Sequence, residues 1–163
     1  MFGKRIKIFS LLGFEVRVDL SWLVLAVLVT WSLAKGVFPD YFENLPEQTY
    51  WLMGAAGALG LFLSIIFHEL SHSLVARRFG IPMKGITLFI FGGVAEMTEE
   101  APSAKAEFWM ALIGPVSSLL LSAVFFVSSR YGEGAGWPVP AVGVLAYLAW
   151  INIALAVFNL VPA

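Results

Sequence analysis

The chain has 163 residues, of which 60% are hydrophobic and only 13% charged. A soluble domain of this size carries about 25% charged residues, so composition and a mean hydropathy of +0.86 point to a membrane protein. A net charge of −1 gives no electrostatic footprint for nucleic acid, and the lack of cysteine excludes disulfides and thiolate metal ligands.

The N-terminus, Met1 to Lys7, is basic, and the apolar stretch Ile8 to Phe14 ends at Glu15 with no small-residue cleavage site, so no cleaved signal is read. Alternation in Phe14-Glu15-Val16-Arg17-Val18-Asp19 predicts a short strand at the membrane surface.

Spanning a bilayer takes about 20 mostly apolar residues in a helix. Four stretches qualify: about 20–38, 50–79, 108–129 and 139–161. The expected fold is therefore an all-α polytopic membrane protein, a single core domain over residues 1–163 with four transmembrane helices, a short surface strand and a re-entrant β-like loop. Trp22, Trp51, Trp109 and Trp137 lie near segment ends, as interfacial anchors do. Lys4, Arg5, Lys7 and Arg17 precede the first span, and Arg77, Arg78, Lys84 and Lys105 lie between the second and third. The other two connections hold only Lys35 and Arg130. The positive-inside rule then places the N-terminus and the 76–107 loop in the cytoplasm of a prokaryotic-type plasma membrane, with the site described below toward that side.

Gly80-Ile81-Pro82 predicts the end of the second helix. The run from Gly85 to Ala95 is apolar, β-prone and broken by Gly92 and Gly93. It is too short to span as a helix, so it reads as a re-entrant hairpin or edge strand, with an amphipathic loop as the alternative.

His68-Glu69-Leu70-Ser71-His72 fits H-E-x-x-H, and these are the chain's two histidines. Residues four apart share a helix face, about 5–6 Å between Cβ atoms, so two imidazoles can bind one Zn²⁺ there. Glu69 lies about 100° further around the helix, from where its carboxylate can reach a metal-bound water as general base. Ionisable groups in an apolar span are costly and by default functional. The alternative is a histidine pair hydrogen-bonded between helices, with Glu69 as partner. Gly60, Ser64, His68 and His72 form one stripe, Gly114, Ser118 and Ser122 another, and Asn152, Ala156 and Asn159 a third. Small residues there read as helix packing; Asn159 is either interhelical glue or a substrate contact.

Over nearly its whole length the chain resembles the site-2 protease family of intramembrane zinc metalloproteases. The resemblance rests on His68–His72, on Phe91-Gly92-Gly93-Val94-Ala95, on Ala111-Leu112-Ile113-Gly114-Pro115 and on Asn159-Leu160-Val161-Pro162. It implies an enzyme that cuts transmembrane segments of membrane-tethered regulatory proteins in the bilayer. His68 and His72 match the zinc ligands, Glu69 the catalytic glutamate, and Gly92 and Gly93 the loop that holds substrate as an extended strand. Many members carry asparagine where this chain has Ser118. The family's third ligand is an aspartate beyond the position of Pro162, whereas the aspartates here are Asp19 and Asp40. Either the chain is cut short of that ligand, which its apolar ending favours, or Glu96, Glu99 or Glu100 substitutes; as a bland alternative these three belong to a solvated loop. Two further readings stay open: another membrane zinc peptidase, and a catalytically incomplete metal-binding fragment. The expected partners are a transmembrane substrate and the lipid bilayer, without nucleic acid; homo-oligomerisation is left open.

Overall fold

The computed structural model describes residues 5–89, 92–97 and 102–160. Strands β1 (Arg5–Leu11) and β2 (Phe14–Asp19) form a hairpin that leads directly into helix α1 (Leu20–Ser32). A π-helical turn (Leu33–Val37) and the short α2 (Phe38–Tyr41) continue α1, so this first membrane-crossing helix runs Leu20–Tyr41. The others are α3 (Glu47–Arg78), α4 (Ala104–Gly134) and α5 (Val139–Leu160). Strands β3 (Met83–Phe89) and β4 (Gly92–Met97) lie between α3 and α4. All four helical segments are long and apolar enough to cross a membrane, in the order the sequence predicts.

The sheet is larger than the surface strand and hairpin expected. Its order is β1-β2-β3-β4, with β2 and β3 parallel and the outer pairs antiparallel. The strand missed by sequence is β1. Every one of its residues is exposed, so it carries no alternation of buried and solvated positions for a pattern to reveal. Its turn, Leu12-Gly13, has both φ angles positive (51° and 88°), the backbone of a two-residue hairpin loop. Gly85 brings β3 against β2: a Cβ there would lie 2.5 Å from the Glu15 carbonyl oxygen.

The inner face of the sheet braces the C-terminal half of α3. Phe14, Val16 and Val18 of β2 and Ile86 and Leu88 of β3 bury against Phe62, Ile65, Ile66 and Leu70. The exit of α3 is fixed as well. Gly80 takes φ +78°, its N–H donates to Arg77 O (3.1 Å), and Ile81 N–H donates to Ala76 O (3.1 Å). That is a Schellman cap, which satisfies the last carbonyls of the helix, and Ile81 packs beside Ala76 and Met110 of α4.

Small residues set the helix spacing. Added Cβ atoms would meet Thr30 O at Gly54 (2.6 Å), the Leu33 side chain at Gly57 (2.9 Å) and the Leu148 side chain at Gly60 (2.6 Å). Close approach of this kind substitutes for the hydrophobic drive that lipid does not supply. Helices α4 and α5 run antiparallel, joined by Ser122 Oγ donating to Ala149 O (2.7 Å) and Ser129 Oγ to Val142 O (3.3 Å). Helix α5 is tied to α3 by Asn152 Nδ2 donating to Ser64 Oγ (2.9 Å).

Candidate active site

Helix α3 presents His68 and His72 on the face that meets α4. His68 is buried, at 2% exposure, and the two Nε2 atoms lie 3.1 Å apart. Each opposite ring nitrogen is held by α4: His68 Nδ1 lies 2.8 Å from Ser118 Oγ, and His72 Nδ1 2.5 Å from the Met110 carbonyl oxygen. A carbonyl only accepts, so His72 carries its proton on Nδ1 and its Nε2 lone pair faces His68. Bonding of the distal nitrogen to a carbonyl or hydroxyl is the usual support of a metal-ligating histidine.

The space in front of the two Nε2 atoms exists because residue 114 is glycine. A Cβ there would sit 2.1 Å from His72 Nε2 and 2.6 Å from His68 Nε2. Pro115 follows inside α4 and has no N–H to donate to the Ala111 carbonyl one turn back, and Ser117 Oγ donates to the Gly114 carbonyl (2.7 Å). Two nitrogens bound to one tetrahedral zinc at about 2.0–2.1 Å lie about 3.3 Å apart. The spacing, the convergence of the two Nε2 atoms and the Gly114 cradle therefore fit zinc.

Glu69 is half-buried on the neighbouring face of the same turn. Its carbonyl accepts from Ser73 Oγ (2.9 Å), while Ser71 Oγ donates to Phe67 O (2.8 Å), so both serines close on their own helix. One turn below His68, Ser64 Oγ donates to Gly60 O (2.9 Å) and accepts from Asn152, whose Nδ2 also donates to Leu148 O (2.8 Å). Asn152 is fully buried and its Oδ1 has no hydrogen-bond partner among the described residues.

The remaining predicted residues fall elsewhere. Gly92 and Gly93 open β4, opposite Phe89 and Leu88, and β4 is an edge of the sheet lying against α3. Asn159 is exposed near the end of α5 and bonds its own helix, Nδ2 to Leu155 O (2.8 Å). Among the described residues no group of three or more His, Cys, Asp and Glu side chains could hold a metal. Glu96 lies on β4, opposite Gly85; Phe91, Glu99, Glu100, Val161 and Pro162 lie outside the described residues. Sequence reasoning treated Gly114 as packing and Ser118 as a departure, and did not name Met110. The repeat Gly114-x-x-x-Ser118 carried a signal, since its one-turn step matches that of His68 and His72 on a facing antiparallel helix.

Residues 56–139, just over half of the chain, match Peptidase family M50. A protein of Mycobacterium tuberculosis named "Putative zinc metalloprotease Rip3" is 43% identical over 150 residues, 92% of this chain and 38% of its own length. Its counterpart sll0528 of Synechocystis, named in the same way, is 40% identical over 160 residues, 98% of this chain and 41% of its own. The solved site-2 protease of Methanocaldococcus jannaschii superposes with a TM-score of 0.68 at 25% identity, covering 98% of this chain and 66% of that one. The chain belongs to peptidase family M50, a family that includes site-2 proteases, and it is an integral membrane protein. It spans about two fifths of the length of the curated relatives it matches.

Proposed function

We propose that this chain is the catalytic membrane core of a zinc metalloprotease that hydrolyses peptide bonds in transmembrane segments of membrane-tethered regulatory proteins. The observation that carries the reading is the convergence of His68 Nε2 and His72 Nε2, 3.1 Å apart over Gly114, inside a membrane-crossing helix. When bound there, zinc supplies Lewis acidity toward the scissile carbonyl and toward water. His68 and His72 hold it, and Ser118 and Met110 O fix the two rings from behind. A catalytic zinc takes three protein ligands; the resemblance assigns the third to an aspartate beyond the position of Pro162.

Glu69 takes the proton of the attacking water and returns it to the leaving amine. The substrate must unwind first, because a helix hides its peptide bonds. The edge strand β4, opening at Gly92 and Gly93, offers backbone groups to an extended segment. Asn159, exposed on α5, is assigned to contact the same segment. The basic residues Arg5, Lys7, Arg17, Arg77 and Arg78 gather at the sheet end of the bundle, and this end is assigned to the cytoplasmic side.

Glu69→Gln tests the reading on a membrane-tethered substrate. The expected result is loss of cleavage by at least ~10²-fold, with zinc content unchanged. Cleavage at the original rate overturns the assignment. Replacing His72 by Ala is expected to remove the zinc itself; equal zinc in this variant and the parent protein would place the metal elsewhere.

A further inference from the structure

The two histidines form the middle of a single line of hydrogen bonds across the α3–α4 interface. In order, the line runs Ser118 Oγ, His68 Nδ1, His68 Nε2, His72 Nε2, His72 Nδ1, Met110 O, with gaps of 2.8, 3.1 and 2.5 Å between residues. Its polarity is fixed at one end. Met110 O accepts only, so His72 is protonated at Nδ1 and offers a bare Nε2. For neutral rings without metal, the contact at 3.1 Å then requires a proton on His68 Nε2. That leaves His68 Nδ1 as an acceptor, and Ser118 must donate to it. Binding a metal through His68 Nε2 requires the reverse tautomer, with the proton on Nδ1 and an acceptor opposite.

A hydroxyl serves both states, because it donates one proton and accepts at its lone pairs. We infer that Ser118 is a positioning residue that reverses its hydrogen bond to His68, donating to Nδ1 in the metal-free protein and accepting from Nδ1–H when metal is held. In the exchange the Nε2 proton leaves to the water that the metal displaces and one proton from that water is returned to Nδ1, so the ring's charge is unchanged and no net proton is released. The hydroxyl proton turns toward the Pro115 carbonyl three residues back in its own helix, the spacing Ser117 uses toward Gly114 O, which is thereby already engaged. Burial of Ser118, at 0% exposure, keeps water from supplying the same bond.

The metal-dependent half of this inference rests on the zinc reading above; the metal-free half does not. Histidine-selective ¹⁵N labelling reads both tautomers, and this chain holds only two histidines. Each ring is assigned by its loss in His68→Gln or His72→Gln. In metal-free protein in detergent, the expected pattern is His68 protonated at Nε2 and His72 at Nδ1; with zinc, both at Nδ1. A metal-free His68 already protonated at Nδ1 overturns the reversal. Ser118→Ala is expected to lower zinc affinity about 10–100-fold by chelator competition, and Ser118→Thr, which keeps the hydroxyl, to restore most of it. Undiminished affinity in Ser118→Ala overturns the positioning role. A parent protein that holds no zinc, or holds as much after His72→Ala, defeats the metalloprotease reading, while the metal-free tautomer pattern still decides the inference.

Discussion

Gly114 contributes to the site through the absence of a side chain. A methyl group at that position would stand 2.1 Å from His72 Nε2, and His72 cannot retreat without breaking its 2.5 Å bond to Met110 O. Gly114→Ala is therefore expected to abolish zinc binding while leaving the chain membrane-inserted. Gly36→Ala is the matched control, since a Cβ there meets nothing within 4 Å, and it should retain full zinc. Elemental analysis of the two purified variants decides between them: equal zinc in both would mean that the cradle at Gly114 does not hold the metal. The motif His68-Glu69-x-x-His72 was legible because its spacing is a property of one helix. Ser118 and Gly114 were half legible, as a stripe of small residues whose partner face the sequence does not name. The Met110 carbonyl was not legible at all, because every residue carries a backbone acceptor and only the fold decides which one a ring meets.

Among the elements, α3 packs against most of the bundle and its sheet, and two contacts, one of α3 and one within the sheet, lend themselves to measurement. The first is the α3–α5 seam at Asn152. Its Nδ2 makes two hydrogen bonds and its Oδ1 none among the described residues. Polar contacts between membrane helices contribute about 0.6 kcal/mol on average and up to about 1.7. Asn152→Ala is expected to destabilise the fold by that order in a reversible unfolding assay in detergent or bicelles; a more stable variant would show that the orphaned oxygen outweighs the two donated bonds. The second is the β1–β2 hairpin that opens the sheet. Lys7 and Arg17 both hydrogen-bond Glu15, and they hold its carboxyl below the ordinary glutamate range, Lys7 most. With the folded value lowered, the stabilisation is in place above the unfolded pKa and is lost as pH falls through the folded one. A carboxyl NMR titration should place the Glu15 midpoint below the ordinary value, and Lys7→Ala should move it back up; a midpoint already at the ordinary value would refute the pairing. The strand β2 was legible from its alternation, whereas β1 was not, and the parallel pairing of β2 with β3 joins segments that no local pattern relates.

At the scale of the molecule, the sheet, the capped end of α3 and the first half of α4 gather at one end of the bundle, and the histidines lie just inside it. The four crossings were legible from composition alone, because lipid imposes length and apolarity on any helix that spans it. Their ends were legible in part: Gly80-Ile81-Pro82 marked the end of α3 beyond Arg77 and Arg78, whereas α4 begins at Ala104, before the expected 108, with Glu107 helical although charged, since a helix does not stop where the hydrocarbon does. The proposed sidedness rests on charge. Arg5, Lys7, Arg17, Arg77, Arg78 and Lys105 belong to the sheet end, whereas the opposite end holds only Lys35 and Arg130, within the helices, beside connections 42–46 and 135–138 that carry Glu43. A bias of this size orients helices with the basic end in the cytoplasm. The absence of cysteine makes the prediction direct to test. In intact cells, a membrane-impermeant maleimide should label Glu43→Cys and should leave Ser103→Cys unlabelled until the cells are opened. The reverse pattern would invert the assignment and put the proposed site at the outer face, where a metalloprotease of this build would meet its substrates, and its zinc supply, from the other side.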